Sequence, residues 1–323
     1  MRYHIPILFI TVILIFASCK KKSDEQQKPN KPLNIRVAGY LYSDNYWNDH
    51  LHTDLSLLTD LNLAFVNPDE NGQFLVNDDV IELVAAAHAK NVRVYASLGG
   101  GAAPAHISDL LEDENRSAFV GNLADLTDEF GFDGVDVDLE GDFIDENYAD
   151  FISELSSALK AKDKLMTAAL ATWNGNTIHD TTLAKFDFIN VMSYDQTGPW
   201  DPSNPGQHSP YEMALSDANY YIITRGINSE KILIGVPFYG YWFAAGTVEG
   251  LAYKDIVAQY PGAENKDMVE TTGGGRIYYN GIPTIEKKVQ LAADLNTAGI
   301  MIWEINQDAS GDKSLLNAIN KLR

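Results

Sequence analysis

Short runs of strand-forming residues recur along this chain, each followed by a segment with helical spacing, and this alternation leaves few architectures open. The runs are Ile35 to Tyr42, Leu61 to Val66, Val92 to Leu98, the stretch Gly131 to Gly141, Leu165 to Thr172, Phe188 to Tyr194, Ile232 to Tyr239 and Ile300 to Ile305. Helical signals lie between them. Asn77 is placed to cap a helix carrying Val80, Ile81, Val84, Ala87 and His88, with His88 read as packing. Phe119, Leu123, Leu126 and Phe130 repeat at helical spacing and stop at Gly131, while Tyr148, Ile152, Leu155 and Leu159 share one helix face. Thr284 to Leu295 and Lys313 to Lys321 supply the last two helices. Strands joined by helical crossovers pair in parallel, and eight of them predict an α/β fold, a (β/α)8 TIM barrel, over residues 33–323. Only Tyr241 to Pro283 is too long for a simple crossover. A helical stretch from Tyr253 to Val257 and a strand-like stretch from Arg276 to Gly281 predict a small excursion there, a short insertion between strands seven and eight.

The stretch Gly131 to Gly141 carries the chemistry. Side chains along a strand alternate between faces, so Asp136, Asp138 and Glu140 share one face and Val135, Val137 and Leu139 the other. Three neighbouring carboxylates on an interior face cannot all be cheaply ionised, so at least one should keep its proton towards neutral pH. Three readings of this row compete. It is a solvated acidic edge strand, a divalent-cation site, or a general-acid site in which one carboxylic acid is backed by others that orient it. The apolar alternate face and flanking glycines argue against the first. The lack of a D-x-D-x-D-G run argues against the second, and no metal or other cofactor is expected. Asp133, ahead of the strand, is expected to brace a turn.

Active sites of such barrels lie where strands end, and Trp47, Trp173, Trp200, Trp242 and Trp303 all fall at or just after strand ends. Aromatic faces along a groove suit the apolar faces of sugar rings, which favours a sugar-binding cleft over mere filling of the barrel top. Lys and Arg total 24 against 45 Asp and Glu, and a net charge of −21 excludes nucleic acid and anionic membrane surfaces as natural partners. At the start of the chain, Arg2 precedes an apolar run from Ile5 to Ala17, too short to span a bilayer but suited to a secretory signal. Phe16-Ala17-Ser18-Cys19 resembles a bacterial lipobox, with Phe where Leu is commoner. The expectation is therefore a signal peptide over residues 1–18, lipidation of Cys19, and a polar tether over residues 19–32 that leaves the domain anchored in the cell envelope. Cys19 is the single cysteine, so the folded domain has no disulfide.

Asp133, Gly134, Asp136, Asp138 and Glu140 together match D-G-x-D-x-D-x-E, and the chain thereby resembles glycoside hydrolase family 18, the chitinases and endo-β-N-acetylglucosaminidases. Ser97-Leu98-Gly99-Gly100 matches the family's S-x-G-G, Met192-Ser193-Tyr194-Asp195 its M-x-Y-D, and Trp303 falls where the family has its sugar platform. The resemblance spans about Ile35 to Arg323.

It implies a glycosidase that cuts β-1,4 links next to N-acetylglucosamine, in chitin-like oligomers or in the core of N-glycans, with a catalytically silent sugar-binding lipoprotein as the rival. Glu140 would be the general acid. Asp138 would hold the substrate's 2-acetamido group while its carbonyl oxygen attacks the anomeric carbon. Asp136 would sit deepest and share a proton with Asp138, and Tyr194 would donate its hydroxyl to the acetamido oxygen. Asp195 would bind near the cleaved sugar and Trp303 would floor the site. Tyr40, Gly99, Gly100, Trp173, Met192 and Trp242 complete the expected substrate contacts, with Ser97 and the glycines read as allowing close backbone approach. The short insertion implies a more open groove than in relatives with a larger one. A monomer is expected.

Overall fold

The computed structural model describes Met1, residues 32–42 and residues 53–323; the expected leader, Cys19, nearly all of the tether and Trp47 lie outside the described residues. Pro32 to Arg323 forms one compact unit. Within it β1 (Arg36–Tyr42), β2 (Asp60–Ala64), β3 (Arg93–Gly99), β4 (Gly134–Asp138), β5 (Leu165–Leu170), β6 (Phe188–Val191), β7 (Ile232–Pro237) and β12 (Gly299–Trp303) close into a barrel. Every neighbouring pair runs parallel. Around it lie α1 (Asp79–His88), α2 (Asp113–Glu129), α3 (Tyr148–Ala161), α4 (Tyr211–Asn219), α5 (Tyr253–Gln259), α6 (Ile282–Asp294) and α7 (Leu315–Leu322). This is the (β/α)8 barrel that the strand and helix alternation predicts.

The alternation within β4 works as expected. Val135, Val137 and Leu139 are fully buried against Phe119, Leu123, Phe151, Ile152 and Leu155 of α2 and α3. Their burial fixes the register, so Asp136 and Asp138 must face the barrel interior. That interior is unusually polar, with Asp60, Asn62, Ser97, Asp136, Thr167 and Asn190 all buried. At its N-terminal end Asp60 is held by Arg36 at 3.1 Å and Arg93 at 2.9 Å, and the Arg36 guanidinium stacks 3.9 Å over Phe188. These groups plug the floor of the barrel and leave the C-terminal mouth as the open end.

Several strands end sooner than their apolar runs. The sixth was expected to reach Tyr194 but stops at Val191, so Tyr194 and Asp195 occupy the following loop, with Asp195 in the left-handed region at φ 64. The run of Ile35 to Tyr42 and its neighbours define burial, whereas strand ends are set by where a partner's backbone is still in reach. α1 begins at Asp79 after Asp78, although Asn77 Oδ1 still accepts the Asp79 N–H at 3.3 Å. The excursion holds more strands than the one expected. β8 (Tyr239–Ala244), β9 (Thr247–Ala252), β10 (Met268–Glu270) and β11 (Arg276–Tyr278) make a four-stranded antiparallel sheet in the order β10-β11-β8-β9, with α5 between β9 and β10. It starts at Tyr239, with only Phe238 between it and the end of β7, and so forms part of the barrel rim.

Candidate active site

At the mouth, β4 ends on Asp138 and Glu140 follows before a short turn of helix over Gly141–Phe143. Asp136 lies deepest. Its Oδ2 accepts the hydroxyls of Tyr40 at 2.7 Å and Ser97 at 2.8 Å; its Oδ1 accepts the Thr167 hydroxyl at 2.5 Å and the Asn190 amide at 3.1 Å. Burial pushes its pKa up, and these donors pull against that shift. A carboxylate offers about four lone-pair sites, and all are used.

Asp138 has the opposite surroundings. Its Oδ1 is buried without a hydrogen-bond partner in the protein. Desolvation, then the charge of Glu140, then that of Asp136 raise its pKa well above the ordinary carboxylate value. Glu140 is raised as well, first by burial and then by the charge of Asp195. The arrangement therefore gives three like residues different surroundings: a caged carboxyl, a buried carboxyl with an unpartnered oxygen, and a partly exposed one at the cleft.

Tyr194 and Asp195 face this row from the loop after β6. The Tyr194 phenol is buried, its pKa pushed far up by burial and by Asp138, Asp195 and Glu140. Its hydroxyl meets only the thioether of Met301 at 3.8 Å, a weak acceptor that leaves the donor available to a ligand. Asp195 Oδ1 accepts from Tyr239 at 2.5 Å and Tyr241 at 3.1 Å, and His208 Nδ1 lies 3.3 Å away. Met192 packs beside Tyr40, Tyr194 and Trp303 at the barrel centre. The indole of Trp303 sits among Phe65, stacked at 5.6 Å, Tyr40 at 5.5 Å and Tyr42 at 5.9 Å, which makes an aromatic floor.

Other expected contacts are placed differently. Tyr40 is 1% exposed and spends its hydroxyl on Asp136, so it positions the carboxylate row and does not line the sugar site. Gly99 and Gly100 are buried at φ 112 and φ 88; a Cβ on Gly99 would meet the Asp138 carbonyl at 2.2 Å, and one on Gly100 the Phe65 ring at 2.3 Å. They are glycines because β3 packs against β4 and Phe65 there, not because their backbone is bared to a ligand. Trp242 alternates with Tyr241 on β8, so it points to the opposite face and packs with Ile277 and the outer core. It does not face the carboxylates. Trp173, 62% exposed after β5, and Trp200, 60% exposed and edge-on to Tyr241 at 5.9 Å, remain on the rim. Asp133 braces the entry to β4 as expected, accepting from Val94 N at 2.7 Å, while His88 pairs with it at 2.8 Å instead of packing in the core.

Ser97, Thr167 and Asn190 were not read as carboxylate donors, nor Tyr239, Tyr241 and His208 as partners of Asp195. For the first group a signal existed. In parallel strands of one barrel, Ser97, Asp136 and Thr167 fall in register side by side, and all three are polar in otherwise apolar runs. For the second group the partners come from a loop and a rim strand whose positions only the fold reveals.

Comparison with known proteins places this geometry among related ones. The model of Glycosyl hydrolases family 18 matches residues 36–308. A family 18 chitinase from the chitin utilization locus of Flavobacterium johnsoniae is 38% identical, with a TM-score of 0.82 over 89% of this chain and 93% of that one. Endochitinase 1 of Metarhizium robertsii is 26% identical over 90% of this chain and 77% of its own length. A class V chitinase from Nicotiana tobaccum, captured in complex with NAG4, shares the fold at 21% identity and a TM-score of 0.72 over 89% of this chain and 98% of its own.

Proposed function

Because the chain belongs to family 18 of the glycosyl hydrolases, we propose that its cleft hydrolyses β-1,4 links at N-acetylglucosamine residues of chitin-type oligomers, with retention of configuration and with the substrate's own acetamido group as nucleophile. The observation that carries this reading is the division of labour along β4. Burial and the charge of Asp195 raise the pKa of Glu140, which favours the protonated form a general acid needs. Asp138 offers a buried, unpartnered oxygen to the acetamido N–H, and caged Asp136 beneath it stabilises positive charge developing on that group. Neither is free to attack the anomeric carbon, so the nucleophile comes from the substrate. Tyr194 donates to the acetamido carbonyl, Trp303 floors the reacting sugar, and Asp195 binds beside it. Relatives from F. johnsoniae and M. robertsii whose names state chitinase activity support the substrate class.

The test sets a reducing-end assay on N-acetylglucosamine oligomers beside a deglycosylation assay on a high-mannose glycoprotein. Hydrolysis of the oligomers supports the proposal. Release of N-glycans alone redirects it to the endo-β-N-acetylglucosaminidase reaction, and sugar binding without turnover in either assay replaces it with a silent sugar-binding protein.

We further propose that the mature protein is a monomer anchored in the cell envelope through a lipid on Cys19, supported by the apolar run Ile5 to Ala17 and the lipobox-like Phe16-Ala17-Ser18-Cys19. Wild-type protein made in a bacterium should partition into detergent and Cys19→Ala should not; equal partitioning of both removes the anchor.

A further inference from the structure

Lys288, on α6, is fully buried, a rare placement for lysine. Its Nζ donates to the Ser209 carbonyl at 2.9 Å, the Ser209 hydroxyl at 2.6 Å and Asn280 Oδ1 at 2.8 Å. All three are acceptors, which uses the three N–H bonds of an ammonium. The network continues outward from these partners. The Ser209 hydroxyl donates to the Ser193 carbonyl at 2.6 Å, and the Asn280 amide donates to the Ser209 carbonyl at 3.0 Å.

These contacts join three pieces of chain. Ser193 precedes Tyr194 and Asp195 at the start of the loop after β6; Ser209 follows His208 at its end; Asn280 lies where the rim sheet returns to α6. Tyr239 and Tyr241, which hold Asp195, belong to that sheet. Tyr194 has no strong side-chain hydrogen bond of its own in the protein, so its phenol is placed by the packing around the ring and by the backbone that carries it, next to Ser193.

We propose that Lys288 is a positioning residue for the reaction, clamping both ends of the 193–209 loop and the exit of the rim sheet so that Tyr194 and Asp195 meet the sugar at the geometry turnover requires. This rests on the glycosidase reading of the cleft. An ammonium with three short bonds to two serine oxygens and an asparagine oxygen fixes the distances between the pieces it joins. Burial pulls the Lys288 pKa to about 7 against the charges that face it, Asp267 in the rim segment and Asp217 and Glu212 on α4. The clamp thus has its full set of donors on the acid side of neutrality.

The decisive variants are Lys288→Met, which keeps the stem and removes the donors, and Ser209→Ala, which cuts the single link to Ser193. Turnover of N-acetylglucosamine oligomers, the melting temperature and the ring signal of Tyr194 in protein carrying 13C-labelled tyrosine are read together, with Tyr194→Phe assigning the signal. The expected result for both variants is a displaced or broadened Tyr194 signal and a kcat lowered about 10-fold, with KM changed by less than about three-fold. Should Lys288→Met fail to fold, Ser209→Ala decides alone. A Tyr194 signal at its wild-type position, or a wild-type kcat beside a lowered melting temperature, overturns the assignment and leaves Lys288 as a packing device. If the wild-type protein cleaves no oligomer, it is the glycosidase reading that fails, and the Tyr194 signal still judges the clamp.

Discussion

Glu140 can act as an acid only while it holds a proton, so its surroundings set the alkaline limit of the reaction. Burial and the charge of Asp195 both raise its pKa, and activity falls as pH rises through that raised value. The alkaline limb of kcat/KM should therefore lie above the ordinary glutamate range of about 4.3. Removing the Asp195 charge removes one cause of the shift: Asp195→Asn should move the limb to lower pH, and a pH profile with the limb unmoved or higher contradicts the assignment. Glu140→Gln keeps the size of the side chain but has no proton to transfer. Its turnover should drop by at least about 10²-fold while oligomer binding, measured by calorimetry, is largely kept. Wild-type turnover in that variant rules Glu140 out.

Asp138 and Asp136 differ for a reason that lies one element away. The β3, β5 and β6 strands surround β4 with Ser97, Thr167 and Asn190, and β1 adds Tyr40, so Asp136 is caged while Asp138, two residues on, has passed beyond the donors. This depends on how closely β3 approaches β4. Gly99 sits where a Cβ would strike the Asp138 carbonyl and at a φ that other residues resist. Gly99→Ala should therefore destabilise the fold by on the order of 2 kcal/mol in urea unfolding and depress turnover by displacing Asp138. A variant with unchanged stability would mean the strands can part at no cost. The rim sheet acts in the same way on the other wall. Its β8 presents Tyr239 and Tyr241 to Asp195 and turns Trp242 away, because neighbouring residues on a strand face opposite sides.

Across the whole molecule, the barrel brings together one wall from β4, one from the β6 loop and one from the rim sheet, all at the mouth opposite the Asp60 plug. A site with this composition holds the sugar but supplies no carboxylate free to attack it. Two displacements at one carbon should then leave its configuration unchanged, so the first product is the β-anomer, seen by proton NMR before mutarotation. Oligomers of N-acetylglucosamine should be cleaved, and matching glucose or de-acetylated glucosamine oligomers should not, since they lack the acetamido carbonyl. Asp138→Asn should slow cleavage about 10²-fold by weakening support for the charged ring that forms. An initial α-anomer, or efficient cleavage of cello-oligomers, would falsify the substrate-assisted route.

What the sequence determined alone was whatever depends on spacing along the chain. Alternation of strand and helix patterns dictated an eight-stranded parallel barrel, and the two-residue period of Val135 to Glu140 dictated which side chains turn inward. Met192 to Asp195 and Trp303 were placed at strand ends for the same reason. Relations between distant segments were decided only by the tertiary structure. Tyr40, read as a sugar contact, turned out to be a donor to Asp136 because β1 and β4 face each other across the barrel. Trp242 lost its expected place because the residues just past the seventh run form a second strand with its own alternation. His208 lies in a polar stretch with no local signal, and Lys288, though its spacing puts it on the face of α6 that carries Ile285, Val289 and Ala292, finds its partners Ser209 and Asn280 only once the chain has closed on itself and water has been excluded from around them.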